Sequence, residues 1–136
     1  MDHYNLSDQE LLNQFEDCTL EPALFNHEAH LRLAWLLIRE LGADQATETI
    51  QAMLQKFVEH VEARDKYHVT LTVAATRAVH SFMLKSKTKS FESFITENQV
   101  LKTDFKKLIN SHYSIDIFSS ENARIRFLEP DLLPFA

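Results

Sequence analysis

The chain has a single glycine, Gly42, and three prolines in 136 residues. All-β and Rossmann-type folds need a turn chemistry that this scarcity excludes, so helices are expected. A lone cysteine, Cys18, excludes an internal disulfide and fits a reducing compartment. No apolar run approaches the roughly 18 residues that span a bilayer. The opening "MDHYNLSDQE" has neither the basic nor the apolar region of a secretory signal. A soluble cytoplasmic protein without membrane contact is the expectation. Positive charge is also short, with 14 Lys and Arg against 20 Asp and Glu and a net charge of −6. That balance disfavours nucleic acid as a partner, because phosphate binding depends on clustered Lys and Arg. The one basic cluster, Lys85, Lys87 and Lys89 in "KSKTKS", reads as a solvated interhelix loop.

What is present is helical periodicity. The length suits one helical domain over 1–136, large enough to bury a core without metal or disulfide. The expected fold is all-α, an up-down four-helix core at about 7–17, 27–41, 44–63 and 67–85. "SDQE" is a capping box in which Ser7 and Glu10 satisfy each other's backbone N–H groups. Asn26 is a good N-cap for the second helix, Gly42 a left-handed stop for it, and Asp44 a cap for the third. In the fourth, the period of Leu71, Ala75, Ala78, Val79 and Phe82 outweighs the low propensity of Thr and Val. Short helices follow in "SFESFITEN", in "TDFKKLIN" capped by Thr103, and in "SSENARIRF" capped by Ser119 or Ser120. The terminal "FLEPDLLPF", punctuated by Pro130 and Pro134, reads as an extended tail across a groove.

The stretch "FNHEAHLRLAWLLIRELG" places two histidines in the first turn of the second helix. Helical rotation puts His27 and His30 on the stripe of Leu31, Ala34, Leu37, Ile38 and Leu41, with Trp35 at its border as core and Glu28, Arg32 and Arg39 to one side. His68, in the first turn of the fourth helix, also faces inward, above Leu71, Thr72, Ala75 and Val79. Short connections make successive helices antiparallel, which brings His27, His30 and His68 to one end of the core. Glu16, Asp17 and Cys18, and Glu59, His60 and Glu62, fall toward that end; whether Glu129 and Asp131 reach it is open. Three imidazoles with carboxylates near them form a first shell for zinc, iron or nickel. The two helix N-termini there favour an anion, so an anionic small molecule, held directly or through the metal, fits the same pocket.

A structural reading stands beside this one for every residue. Histidines near helix starts cap and pack. Tyr67 either supplies an acid or hydrogen-bond donor to the pocket or anchors the loop, and Thr72 either orients His68 or bonds back to its own helix. His80 reads as packing or surface, His112 as a helix-end cap, and Cys18 as a small buried hydrophobe.

"FNHEAHLRLAW", "KYHVTLT" and the terminal Pro130–Asp131 together resemble a group of small bacterial all-helical proteins with the patterns F-x-H-x-x-H-x-R-x-A-W, Y-H-E-T-x-T and a late Pro-Asp. The matching positions are Phe25, His27, His30, Arg32, Ala34, Trp35, Tyr67, His68, Thr70, Thr72, Pro130 and Asp131, while Val69 stands where the pattern has glutamate. The resemblance implies a helical fold and brings no known reaction with it. Two functions remain in view. The first is a small-molecule or divalent-metal-binding protein, in an enzymatic version with Tyr67 or an acidic neighbour moving the proton. The second is a non-catalytic protein-interaction module whose histidines are structural.

Overall fold

The computed structural model describes residues 2–135, and among them it contains α-helices, turns and no strand, as the apolar periods require. The chain divides into two compact units, Met1–Tyr67 and His68–Ala136. Among the described residues no helix is long and apolar enough to cross a membrane.

In the first unit α1 (Asp8–Glu16), α2 (His27–Leu41) and α3 (Ala43–His60) each pack against the other two. The capping box at α1 is complete, with Glu10 N–H donating to Ser7 Oγ at 3.1 Å and Ser7 N–H to Glu10 Oε1 at 2.8 Å. Asn26 Oδ1 accepts from Ala29 N–H at 2.9 Å and starts α2. That helix is buried without a break from Leu31 to Ile38, wider than one apolar stripe, while Leu41 at its end is exposed. Leu11, Phe15, Leu31, Trp35, Ile50 and Phe57 are core side chains of the unit. The Phe15, Phe25 and Phe57 rings close one part of it, at centroid distances of 4.8 to 5.5 Å.

The ends of these helices depart from expectation in instructive ways. Asp44 does not cap α3; it lies in the first turn, and Gly42 is both the end of α2 and the N-cap of α3. Gly42 has φ +85° and ψ 164°, outside the left-handed helical region and in one that only glycine occupies readily. The left-handed positions are held instead by Cys18 (φ +60°) and Glu62 (φ +58°). Each sits at the residue after the cap of a Schellman turn. At α1, Thr19 N–H reaches Gln14 O at 2.8 Å; at α3, Ala63 N–H reaches Val58 O at 2.7 Å.

In the second unit α4 (Val69–Met83) is followed by α5 (Phe91–Glu97), α6 (Val100–Thr103), α7 (Phe105–Asn110) and α8 (Glu121–Ile125). Ser90 and Ser120 cap α5 and α8 through their hydroxyls. Thr103 does not cap α7: it closes α6, a turn of helix the apolar pattern does not announce, and its hydroxyl donates to Gln99 O at 3.0 Å. Residues 126–135 form neither helix nor strand and bend at 131–133, in keeping with the prolines. Thr70 on α4 fastens that segment by donating to Arg126 O at 2.7 Å and accepting from Leu128 N–H at 3.1 Å.

Candidate functional site

The Asn26 cap makes His27 the first residue of α2 and His30 the fourth. His27 is exposed, against the expectation that it lies on the buried stripe. Rotation about a helix axis gives a direction, and at the first position of a helix that direction need not lead into the core. His30 is covered, its ring stacked on Phe25 with centroids 5.7 Å apart. Its Nε2 is buried and has no hydrogen-bond partner. Burial first, and the proximity of His27 second, push its pKa down to about 4, so it is neutral at physiological pH.

His68 is not inside a helix. Its backbone is extended (φ −130°, ψ 110°) and it serves as the N-cap of α4, its Nδ1 accepting from Leu71 N–H at 3.0 Å. The other nitrogen lies 2.8 Å from Ile117 O, and a carbonyl only accepts, so Nε2 carries the hydrogen and donates it. Both ring nitrogens are thereby committed within the second unit. His68 offers no lone pair to a metal, which corrects its assignment as a ligand. Burial is the first cause of its lowered pKa; the Ile117 carbonyl partly opposes it. Thr72 takes the local alternative, its hydroxyl donating to His68 O at 2.7 Å.

The remaining candidates also have structural employment. His112 is buried; its Nδ1–H donates to Leu133 O at 2.6 Å and its ring stacks on Phe135 at 4.1 Å. Glu129 pairs with Arg77, Asp131 accepts from the backbone and hydroxyl of Ser114, and Glu59 stands 3.8 Å from Arg64 on the exposed surface, within ion-pair reach but not hydrogen-bonded. The Ser114 bonds hold the Asp131 carboxyl below its ordinary pKa. Glu16, Asp17, His60 and Glu62 are exposed, His80 is half-buried and Cys18 is buried. Among the described residues no three His, Cys, Asp or Glu side chains form a group that could hold a metal ion.

One polar cluster escaped the sequence reading. Arg32, placed beside the buried stripe by rotation, is only 4% exposed, and His3 is fully buried. The guanidinium donates to His3 O at 2.7 Å, Leu6 O at 3.0 Å and Asp8 Oδ1 at 2.8 Å, and its Nη1 lies 3.2 Å from His3 Nδ1. A guanidinium only donates, so Nδ1 accepts and Nε2–H of His3 donates to Glu28 Oε1 at 3.1 Å. Tyr4 OH donates to Glu28 Oε2 at 3.2 Å. The cluster fastens the first turn of the chain to α1 and α2. Its signal was available: "LRLAWLLI" is apolar all round except for Arg32, and a charge on a helix so buried must be paired.

Tyr67 ends the first unit, its hydroxyl buried beside the Gln55 side chain without completing a hydrogen bond. Burial pushes the phenol pKa up, and Gln55 opposes the rise. The expected meeting of this hydroxyl with a histidine-held metal therefore has no ligand set to support it. No family model, curated protein or solved structure matches the chain.

Proposed function

We propose that the chain is a non-catalytic protein-interaction module of the cytoplasm in which the histidines are structural. The observation that carries this reading is the terminal tail of the second unit. Leu132 N–H donates to His112 O at 3.0 Å, His112 Nδ1–H donates to Leu133 O, and Ser114 holds Asp131. The backbone is thus secured while the side chains of Leu132 and Leu133 stay 61% and 53% exposed. Ile115, the residue after Ser114, is 49% exposed. Fixing a backbone so that apolar side chains face water costs free energy in the isolated chain, and such a feature belongs to a surface that another protein covers. The partner chemistry that fits is an apolar groove. The committed nitrogens of His68 and His112 support the same reading, since they hold α4 and the tail in place.

The reading in which a metal or an anionic small molecule occupies the histidines has one observation on its side, the unpartnered Nε2 of His30. Metal analysis of untagged protein and thermal melts with added zinc, iron(II) and nickel separate the two. Under the interaction reading, metal content is far below one per chain and no metal raises Tm. His68→Ala lowers Tm by the same amount with or without metal, because it loses a helix cap and the Ile117 bond, roughly 1–2 kcal/mol in all. Leu132→Asp with Leu133→Asp leaves the helical circular dichroism intact and abolishes retention of a co-purifying protein. Stoichiometric metal that His68→Ala releases would overturn the proposal.

A further inference from the structure

We infer that the first unit carries a binding site for a small zwitterion, a molecule of free amino-acid size with one carboxylate and one ammonium, in the cleft where α3 ends. This site is independent of the tail in the second unit and does not rest on the interaction reading. Gln55, Val58 and Glu59 are spaced three and four residues apart and so share one face of the last turns of α3. The Schellman turn at Glu62 sends the chain back over that face, where Arg64 and Tyr67 complete a cleft of about 220 Å³. That is smaller than the pockets of drug-sized ligands and suited to an amino acid.

The polar groups of the cleft define what it takes. The Tyr67 hydroxyl is buried with only the Gln55 side chain near it and no hydrogen bond of good geometry, so it is under-satisfied until something supplies a better partner. Arg64 and Glu59 approach only to 3.8 Å, too long for a hydrogen bond, and are 76% and 66% exposed, so both keep donors and acceptors for a guest. An anion alone would meet Glu59 and a cation alone would meet Arg64. A molecule carrying both charges places its carboxylate on Arg64 and its ammonium on Glu59, with Val58 against its carbon chain, and the Tyr67 hydroxyl, buried at the cleft wall, reaches the carboxylate only by turning toward it. The Gln55 amide serves either end.

Calorimetric titration of the full chain with the common L-amino acids, one at a time, tests this. Matched amines lacking the carboxylate and hydroxy acids lacking the ammonium are run beside them. At least one amino acid is expected to bind and raise Tm, with its amine and hydroxy-acid counterparts about tenfold weaker or worse. Tyr67→Phe and Arg64→Ala each weaken it by a similar factor. Tyr67→Phe also raises Tm of the ligand-free chain, because it deletes an unpaired buried hydroxyl. Arg64→Ala, on an exposed side chain, keeps the test decisive if the tyrosine variant misfolds. The inference is overturned if no amino acid shifts the amide resonances of Gln55, Arg64 and Tyr67. It is equally overturned if one binds and neither substitution matters.

Discussion

His30 and His68 illustrate how little a residue type says before its two ring nitrogens are accounted for. Both stand near helix starts; His68 spends both nitrogens on its own unit, whereas His30 keeps a buried one unspent. The pH consequence follows from the sign of the His30 shift. With a folded pKa of about 4 against 6.5 unfolded, the unfolded chain binds the proton first as pH falls. His30's contribution is therefore fully present above pH 6.5 and is lost progressively down to about pH 4, about 2 kcal/mol of it by pH 5. Urea unfolding at pH 7 and pH 5 measures the loss, and His30→Leu is expected to remove most of it. Equal acid sensitivity in the two proteins would show that His30 accepts its proton without penalty. Rotation on a helical wheel found the direction of His30 but could not find its partnerless nitrogen, because a wheel carries no atoms beyond the side-chain axis. It failed for His68 for a different reason: a capping residue has no place on a wheel.

At the scale of elements, half of the α-helix starts carry a cap that can be read from the sequence, and the stops were less legible. Ser7, Asn26, Ser90 and Ser120 cap as hydroxyl and amide oxygens ordinarily do. The His68 cap was not legible, since imidazole is outside the usual set even though its Nδ1 presents a lone pair at similar reach. Glycine marks many helix ends, and a chain with one glycine cannot mark eight that way. Two opposite substitutions follow. Gly42→Ala has open space around the added methyl, so its whole cost is backbone strain, about 1–3 kcal/mol lost. Glu62→Gly relieves a left-handed residue and should gain about 0.5–1 kcal/mol. Denaturation midpoints of the two variants check both signs at once; a stable Gly42→Ala would mean that the junction relaxes.

The all-α class and a terminal segment outside any helix follow from composition and proline placement, and the described residues show both. The division into two units does not follow. Boundaries are usually written in proline, glycine and polar linkers, whereas here the division falls between Tyr67 and His68, adjacent residues in the stretch "KYHVTLT". Net charge is the other whole-molecule property with a direct readout. At −6, with its one basic cluster confined to a short loop, the protein is expected to leave the anisotropy of a labelled DNA duplex unchanged even at low salt. Binding with a steep salt dependence would reveal a concentration of Lys and Arg that the average conceals.

The junction at Gly42 has a consequence for what lengths the chain tolerates. A single residue separates α2 from α3, so there is no slack between two helices that face each other across a common core. One inserted residue would turn α3 by about 100° and swing Ile50, Leu54 and Phe57 away from that core. The segment from Leu84 to Ser90 joins α4 to α5 with seven residues and can absorb such a change. Chain length is thus part of the specification at one joint of this protein and free at another, and a scan of one-residue insertions would read the difference as a map of where the fold keeps count.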